Sequence, residues 1–390
     1  MLQIDHVYEF FYETVFIDST VCLLPNGVPK YTENINIFDM HVFTRNHSTM
    51  KIFFWDQEPI FEDLTKLYLT IFKSQYHDQQ PTALVTSEHS TVVDRICATE
   101  RLSKLYYFFH GFAALDWYRG YYALNYNKSI VKQYKHDYIT FNRIINNDRS
   151  YRIYFVSLLK EQGLLDHGQV SFNVTDNLFD DWQEEVADPN TKLSTVARQH
   201  IETHLVDTHK LVIDGPAIHG SASANIPRTI DRIDYNNDTL NVDAFWHIVT
   251  ETVFYYNKLH LTEKIFKPIV SKQPFMLLAA PGNLAYLKSY GFKTFDSVID
   301  ESYDTIQDND LRTESVVEQL HWYCNLTPGE KTDIIQQLEP IIDYNFNHFY
   351  GEFRHIITRE LLDNTKALFK ELDYNDNHIN YDNIYHVLTH

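Results

Sequence analysis

Residues 245–295 constrain the fold of this chain most strongly, because short apolar runs alternate there with segments of helical character. Residues 245–249 and 275–279 are apolar runs of strand length, so we expect two buried strands. Residues 293–295 are expected to begin a third strand. Strands that alternate with helices at this spacing are typical of a parallel α/β sheet.

Helix boundaries in the same segment are marked by local signals. Thr262 is expected to be the N-cap of a helix that begins at Glu263. Asn283 is expected to cap the next helix, and Gly291 stands where a left-handed residue ends it. Pro268 falls inside the first helix and is expected to shorten or kink it. Ligands of parallel sheets bind at the carboxyl ends of strands and at the helix N-termini that follow.

Polar residues cluster at this predicted ligand-binding edge. Glu251 follows the first strand, and Thr262, Glu263 and Lys264 open the helix. A cation in the first turn opposes the helix dipole, and an anion bound in front of it would explain its position. The carboxylate of Glu263 can accept two hydrogen bonds from a vicinal diol such as ribose. The pattern therefore suggests a nucleotide-diphosphate sugar, and the alternative is two solvated residues at a helix start.

The same segment resembles the donor-binding motif of α-1,3-fucosyltransferase-like enzymes, glycosyltransferase family 10, especially their viral and bacterial members. The resemblance is carried by ET at 251–252, LTEKI at 261–265 and the apolar strand that starts with PF at 274–275. The family has Glu-Asn where this chain has Glu-Thr. The resemblance implies that Glu263 and Lys264 bind the ribose and phosphates of the donor, which is guanosine diphosphate fucose by family default. It also implies an inverting transfer. If a pair of cations holds the diphosphate, no metal is needed, and we expect no other cofactor.

A catalytic base is expected in the first half of the chain. Residues 51–55 form a strong strand pattern that runs into Asp56-Gln57-Glu58-Pro59, where the proline ends the strand. In the family, a glutamate in a proline-containing loop after such a strand acts as the base. The resemblance therefore implies Glu58 as the base, with Asp56 as second candidate. The alternative is a solvated turn that caps the helix expected at 61–72.

Two further residues of the first half are candidates for contact with the acceptor or the sugar. Glu88 follows a predicted strand at 83–85, and His110 ends a predicted strand at 105–109. A loop residue or helix cap is the alternative interpretation of Glu88. A core histidine that is hydrogen-bonded to backbone is the alternative for His110.

Three arginines follow or flank the predicted strand at 137–141 and the start of the next helix. Arginines at such positions can neutralise a diphosphate. The family has an arginine at the start of the first helix of its second domain, which implies Arg152 here, with Arg149 as the alternative and Arg143 as a third choice. Residues 308–310 have the sequence Asp-Asn-Asp, but they are expected to lie in a solvated loop and not at a strand end. We therefore predict no metal site.

Composition limits the partners of the chain. A net charge of −20 disfavours a broad grip on nucleic acid or an acidic membrane. Hydrophobic content of 44% and charged content of 22% are typical of a soluble globular protein. Three separated cysteines predict reduced thiols in a cytosolic compartment. We find no signal-peptide pattern and no apolar run of spanning length, so we expect a cytoplasmic enzyme, in the host cytoplasm if the protein is viral.

These observations predict an α/β protein of GT-B type, with two Rossmann-like domains that face each other across a cleft. Residues 1–135 would form the acceptor-side domain, residues 136–345 the nucleotide-sugar domain, and residues 346–390 a helical segment that packs back on the first domain. A polar stretch at 206–241 is expected near the cleft. The predicted activity is transfer of a sugar to a glycan or other hydroxyl acceptor. The alternatives are a glycosyltransferase for modified DNA bases and a non-catalytic sugar- or nucleotide-binding module.

Overall fold

A computed structural model describes residues 3–24, 41–46, 49–57, 59–60, 62–75, 82–119, 134–142, 144–145, 147–172, 182–205 and 243–390. Glu58, Arg143 and the polar stretch at 206–241 lie outside these residues. The chain forms two compact units. Unit 1 comprises Met1–Asp116, Lys258–His260 and Gly351–His390, and unit 2 comprises Trp117–Asn257 and Leu261–Tyr350.

The described part of the chain is a mixture of helices and strands. The helices are α1 Gln3–Phe10, α2 Glu62–Gln75, α3 Thr91–Glu100, α4 Phe109–Trp117, α5 Tyr151–Glu161, α6 Trp182–Ala187, α7 Thr195–His204, α8 Glu263–Val270, α9 Asn283–Ser289, α10 Asn309–Cys324, α11 Pro328–Tyr350, α12 Glu352–Glu371 and α13 Tyr381–Thr389. The strands are β1 Ser19–Leu24, β2 His41–Thr44, β3 Met50–Trp55, β4 Thr82–Thr86, β5 His89–Ser90, β6 Ser103–Tyr106, β7 His136–Asn142, β8 Gly168–Phe172, β9 Ala244–Thr250, β10 Lys258–Leu259 and β11 Phe275–Leu278. No helix among these described residues is long and apolar enough to cross a membrane.

Unit 1 is built on a five-stranded sheet with the order β2-β1-β3-β4-β6. Its neighbouring strands are parallel except for β2, which is antiparallel to β1. Every residue of β3 is buried, as expected for a strand whose two faces are both covered. The side chains of Phe53 and Trp55 lie in one core cluster with Phe72 of α2 and Ile96 of α3.

Helix α12 completes unit 1. Asn364 Nδ2 donates to the carbonyl oxygen of Tyr106 in β6 at 2.9 Å, and the ring of Phe353 meets Phe108 edge-on. The sequence predicts one amphipathic helix over 346–361, but the chain breaks at Gly351, with φ −104° and ψ −99°, between α11 and α12. The apolar residues expected on one helix therefore lie on two helices, of which α11 belongs to unit 2 and α12 to unit 1.

Unit 2 is built on a four-stranded sheet with the order β11-β9-β7-β8, in which all neighbours are parallel. Strands β9 and β11 confirm the two buried strands expected at 245–249 and 275–279. The expected third strand at 293–295 is wrong. Both backbone hydrogen bonds of Lys293 are made with the side chain of Asn345, whose Oδ1 accepts from Lys293 N and whose Nδ2 donates to Lys293 O, each at 2.8 Å.

The helix boundaries agree with the sequence at Thr262 and Gly291 and differ at Asn283, and α8 does not end at Pro268. Thr262 is the N-cap of α8, and α8 continues through Pro268 to Val270. Gly291 has a left-handed conformation with φ +90° after α9. Asn283 is not the cap of α9, because Gly282 takes that position with φ +84°, and the carboxylate of Asp304 accepts from the first-turn N–H groups.

Two other expectations are corrected. Strand β6 ends at Tyr106 and α4 begins at Phe109, so His110 lies in the first turn of a helix and not at a strand end. Residues 308–310 are not a solvated loop but the start of α10. Asp308 Oδ1 accepts from Leu311 N at 2.9 Å, and Asp310 accepts a hydrogen bond from the Ser194 hydroxyl, which accounts for both carboxylates.

Candidate functional site

Glu251 ties the carboxyl end of β9 to the start of α8. Its side chain is completely buried. Oε1 accepts from the N–H of Thr262 at 3.1 Å, and Oε2 accepts from the Thr262 hydroxyl at 2.5 Å and the Thr252 N–H at 3.1 Å. The Thr262 hydroxyl oxygen in turn accepts from Lys264 N at 3.5 Å. One carboxylate thus fixes the helix N-terminus against the strand end that precedes it.

The ammonium of Lys264 lies beside this anchored turn. Its Nζ is 3.1 Å from each of three oxygens: Thr252 Oγ1, Thr262 Oγ1 and Glu263 Oε1. These partners offset the unfavourable position of a cation in a first turn. The side chain of Lys264 is 36% exposed and that of Glu263 is 15% exposed. A charged pair therefore lies within reach of solvent at the carboxyl edge of the sheet.

Arg152 and Tyr151 of α5 hold the loop that follows β9. Arg152 is buried, and its guanidinium donates to the carbonyl oxygens of Ile144 at 2.9 Å and Thr250 at 2.6 Å. The Tyr151 hydroxyl donates to the carbonyl oxygen of Glu251 at 2.6 Å. Arg152 thus belongs to the same cluster as Lys264, but these carbonyl contacts make it a positioning residue for the loop.

Arg149 is the second arginine that the structure describes at this end of α5. It lies in the short 3₁₀ turn Asn147–Arg149 just before the helix, and it is only half-buried. Arg152 is committed to backbone carbonyl oxygens, so a phosphate-binding role for Arg149 stays a prediction. Arg143 lies outside the described residues.

In unit 1, Asp56 occupies the carboxyl end of β3. Its carboxylate is completely buried and accepts hydrogen bonds from the hydroxyls of Tyr8, at 2.8 Å, and Tyr107. Gln57 Nε2 donates to the same carboxylate at 3.2 Å. Burial raises the pKa of Asp56 to about 7, although these donors act in the opposite direction. A pKa near neutrality is one property of a general base, but complete burial and three hydrogen-bond donors suit Asp56 to a structural role, as they do Glu88.

His110 lies close to the same loop. Its Nε2 is 3.3 Å from the carbonyl oxygen of Gln57, a residue with a left-handed φ of +62°. The ring of His110 also meets the ring of His260 edge-on at 5.1 Å. Asp56 and His110 thus both lie next to Gln57, the residue that follows Asp56 at the end of β3.

Glu88 has a different environment. It is completely buried, and Oε2 accepts from the N–H of Ile60 at 2.6 Å and from Lys258 Nζ at 3.2 Å. Lys258 is buried as well and belongs to β10, which pairs with β5 beside Glu88. The buried ion pair supports a structural role for Glu88. Its predicted contact with a sugar has no support in these surroundings.

The structure thus connects five predicted residues of unit 2 through hydrogen bonds: Glu251, Thr262, Glu263, Lys264 and Arg152. In unit 1, Asp56 and His110 both lie next to Gln57. Sequence analysis missed four side chains that hold these groups: Thr252, Tyr151, Tyr8 and Tyr107. Thr252 had a signal, because it stands next to Glu251 where the family has asparagine. The three tyrosines had none, because each is far in sequence from the carboxylate or carbonyl that it binds.

Comparison with known proteins adds no family assignment. No protein-family model matches the sequence, and no curated protein or solved structure is significantly similar to the chain.

Proposed function

We propose that this protein is a metal-independent inverting glycosyltransferase that binds a nucleotide-diphosphate sugar at the N-terminus of α8. The observation that carries the proposal is the anchored turn in which Glu251 and Thr262 hold Lys264 and Glu263 at the carboxyl edge of a parallel sheet. The resemblance of this segment to fucosyltransferase-like enzymes supports it. A sheet in each unit whose strands are parallel, apart from the edge strand β2, supports the finer proposal of a GT-B enzyme.

Donor binding follows from the charges of this turn. The diphosphate would accept hydrogen bonds from the Lys264 ammonium and from N–H groups at the start of α8, where the helix dipole favours an anion. The ribose hydroxyls would donate to Glu263. Arg149 would supply a second positive charge, while Arg152 keeps the loop in place.

In the transfer step, a carboxylate takes the proton of the acceptor hydroxyl as its oxygen attacks the anomeric carbon. The bond from that carbon to the diphosphate breaks, and the leaving group gains negative charge. Lys264 and the helix N-terminus stabilise this charge. Glu58 is the first candidate for the base and Asp56 the second, although the Asp56 carboxylate is completely buried. Fucose is the default sugar, and the acceptor is a glycan or another hydroxyl compound.

Donor binding is tested by thermal shift and calorimetry with guanosine and uridine diphosphates and their sugars. We expect one of these compounds to raise the Tm of the wild type and of Lys288→Ala, but not that of Lys264→Ala. Lys288 is a matched control, because its side chain is 42% exposed and also paired with a glutamate of unit 2. The proposal is wrong if none of the compounds binds, or if Lys264→Ala responds like the wild type.

Two other functions are distinguished by a turnover assay and by a DNA-binding assay. Binding of a nucleotide sugar without hydrolysis or transfer would identify a non-catalytic module. Salt-dependent binding of duplex DNA would favour the glycosylation of modified DNA bases, although the net charge of −20 opposes it. A cytoplasmic location is part of the main proposal, because a nucleotide-sugar enzyme with three unpaired cysteines suits a reducing compartment.

A further inference from the structure

Three potential metal ligands meet where the end of α5 faces α7. Their ligand atoms, on Glu161, His200 and His204, all lie within 4.8 Å of one another. His200 Nε2 is 3.0 Å from Glu161 Oε2, and His204 Nε2 is 3.8 Å from Glu161 Oε1. The two histidines are four residues apart on α7, so they share one face of the helix, and their rings stack at 4.4 Å.

Hydrogen bonds of Ser157 indicate which ring nitrogen of His200 carries the hydrogen. The other nitrogen faces the carboxylate of Glu161. The Ser157 hydroxyl donates to the carbonyl oxygen of Tyr154 at 2.7 Å. Its oxygen is therefore the acceptor in the 2.9 Å contact with His200 Nδ1, which must carry a hydrogen. In the neutral ring, Nε2 then directs a lone pair at Glu161 Oε2. Two lone pairs at 3.0 Å repel each other unless a proton or a metal cation lies between them.

We propose that Glu161, His200 and His204 bind a divalent transition-metal cation of the zinc class. Two imidazoles and one carboxylate, with a further position open to water, are a common ligand set for zinc. Bonds of about 2.0–2.2 Å in tetrahedral geometry separate ligand atoms by roughly 3.3 Å. The nitrogens of His200 and His204 lie 3.0 Å and 3.8 Å from different oxygens of Glu161, and all three ligand atoms lie within 4.8 Å of one another, so side-chain rotations would be needed to reach this separation.

The surroundings of the three side chains suit a metal that enters from solvent. Their exposed fractions are 17% for His200, 31% for His204 and 43% for Glu161. Ser157 fixes the tautomer and orientation of His200, as partners outside the ligand shell do in zinc sites.

A second cluster in unit 2, formed by Asp137, His167 and Cys324, does not suit a metal. The ammonium of Lys331 lies 2.8 Å and 2.9 Å from the two carboxylate oxygens of Asp137 and already supplies the positive charge. Burial raises the pKa of the Cys324 thiol to about 12, so its thiolate form is strongly disfavoured. This cluster therefore provides a matched control for the first.

A cation at Glu161, His200 and His204 would fasten the last turn of α5 to α7. The first turn of α5 carries Tyr151 and Arg152, which hold the loop after β9. The proposed metal has a structural role, and the proposed transfer reaction does not depend on it.

The site is tested by titrating zinc into the full chain after chelator treatment, with a competing fluorescent indicator. Because the chain has 20 histidines, stoichiometry and variants must separate this site from adventitious binding. We expect one tight zinc ion per chain in the wild type and in His167→Gln, and a rise in Tm on zinc addition. Binding should be at least about 10-fold weaker in His204→Gln and in Glu161→Gln.

Glu161 is the most exposed of the three ligands, so Glu161→Gln tests the site even if His204→Gln does not fold. Cobalt in place of zinc should give the visible absorption of a tetrahedral nitrogen–oxygen site in the wild type and in His167→Gln, but not in His204→Gln or Glu161→Gln. If the wild type binds no zinc, a proton between His200 and Glu161 explains their short contact, and the proposal is wrong. The proposal would also be wrong if both ligand variants bound zinc as tightly as the wild type. It would be wrong as well if only His167→Gln lost zinc binding.

Discussion

Lys264 is a cation in the first turn of a helix, where the dipole opposes it, and it is only partly shielded from water. Its three oxygen partners make the position tolerable, but they hold the ammonium in place without burying it. A diphosphate would add two favourable terms, attraction to the ammonium and attraction to the helix N-terminus. At the residue scale, the proposal therefore depends on one charge that is held ready in the absence of ligand.

Replacement of Lys264 by alanine should lower turnover of the nucleotide sugar on the order of 100-fold, because charge on the leaving diphosphate loses a stabilising contact. Release of the nucleotide diphosphate in a coupled assay measures the effect. Lys288→Ala should keep wild-type turnover. Wild-type turnover by Lys264→Ala, with circular dichroism unchanged, would contradict the proposed role.

The raised pKa of Asp56 predicts how the free energy of unfolding depends on pH. Its pKa is about 7 in the folded protein, above the unfolded value of 3.8, so the folded state holds the extra proton between these values. The free energy of unfolding contributed by Asp56 is therefore highest below pH 4 and falls as pH rises towards 7. The total loss is roughly 4 kcal/mol.

Asp56→Asn removes this titration. The stability of the variant relative to wild type should therefore increase steadily between pH 4 and pH 7. Urea unfolding of both proteins at several pH values measures the difference, in which the contributions of other groups cancel. A difference that stays constant with pH, or moves in the opposite direction, would show that Asp56 titrates normally.

At the element scale, the start of α8 shows which part of the site is local. Thr262 caps its own helix, and the residues that bind donor in the resembling family follow it directly, so sequence alone predicts this start correctly. The failed strand at 293–295 shows the opposite case. The backbone of Lys293 is hydrogen-bonded to the side chain of Asn345, about fifty residues away. A local sequence pattern cannot predict that a distant side chain takes the place of a neighbouring strand.

The same distinction explains the rest of the candidate site. Asp56 is predictable as a polar residue at a strand end, but the tyrosines that bind it come from α1 and from the end of β6. The burial of Arg152 is equally nonlocal, because the carbonyl oxygens it contacts lie in β9 and near residue 144. Spacing places an arginine near the site, while only packing decides whether the guanidinium faces a ligand or the backbone.

Thr262→Ala should destabilise unit 2 by about 1–3 kcal/mol, because the helix loses its N-cap and Glu251 loses a buried hydroxyl donor. Thr262→Ser keeps the hydroxyl and should recover most of the loss. Hydrogen exchange of amides in α8 and β9, together with urea unfolding, measures both effects. Equal destabilisation by the two variants would mean that the methyl group, and not the hydroxyl, matters.

At the scale of the whole molecule, the break at Gly351 separates residues that one helix pattern would place together. Phe346 of α11 belongs to unit 2, and Phe353 of α12 belongs to unit 1. Both side chains are almost completely buried. The two phenylalanines thus provide a matched pair that tests the assignment of the C-terminal helices.

Alanine at either position should cost about 3–5 kcal/mol, because a large apolar side chain is lost from a core. Phe353→Ala should increase hydrogen exchange in β3, β4 and β6, whereas Phe346→Ala should increase it in β7, β9 and β11. Mass spectrometry of the exchanged peptides measures both patterns. Loss of protection in the same strands by both variants would contradict the division into these units.

The chain passes from one unit to the other at Asp116, Asn257, His260 and Tyr350, so unit 1 is assembled from three separate segments. This connectivity sets an order for protein synthesis. Residues 351–390 emerge from the ribosome after all of unit 2, so unit 2 can close first. Until those residues emerge, β6 lacks its contact with α12, and a nascent chain stalled near Tyr350 would offer this apolar surface to a chaperone.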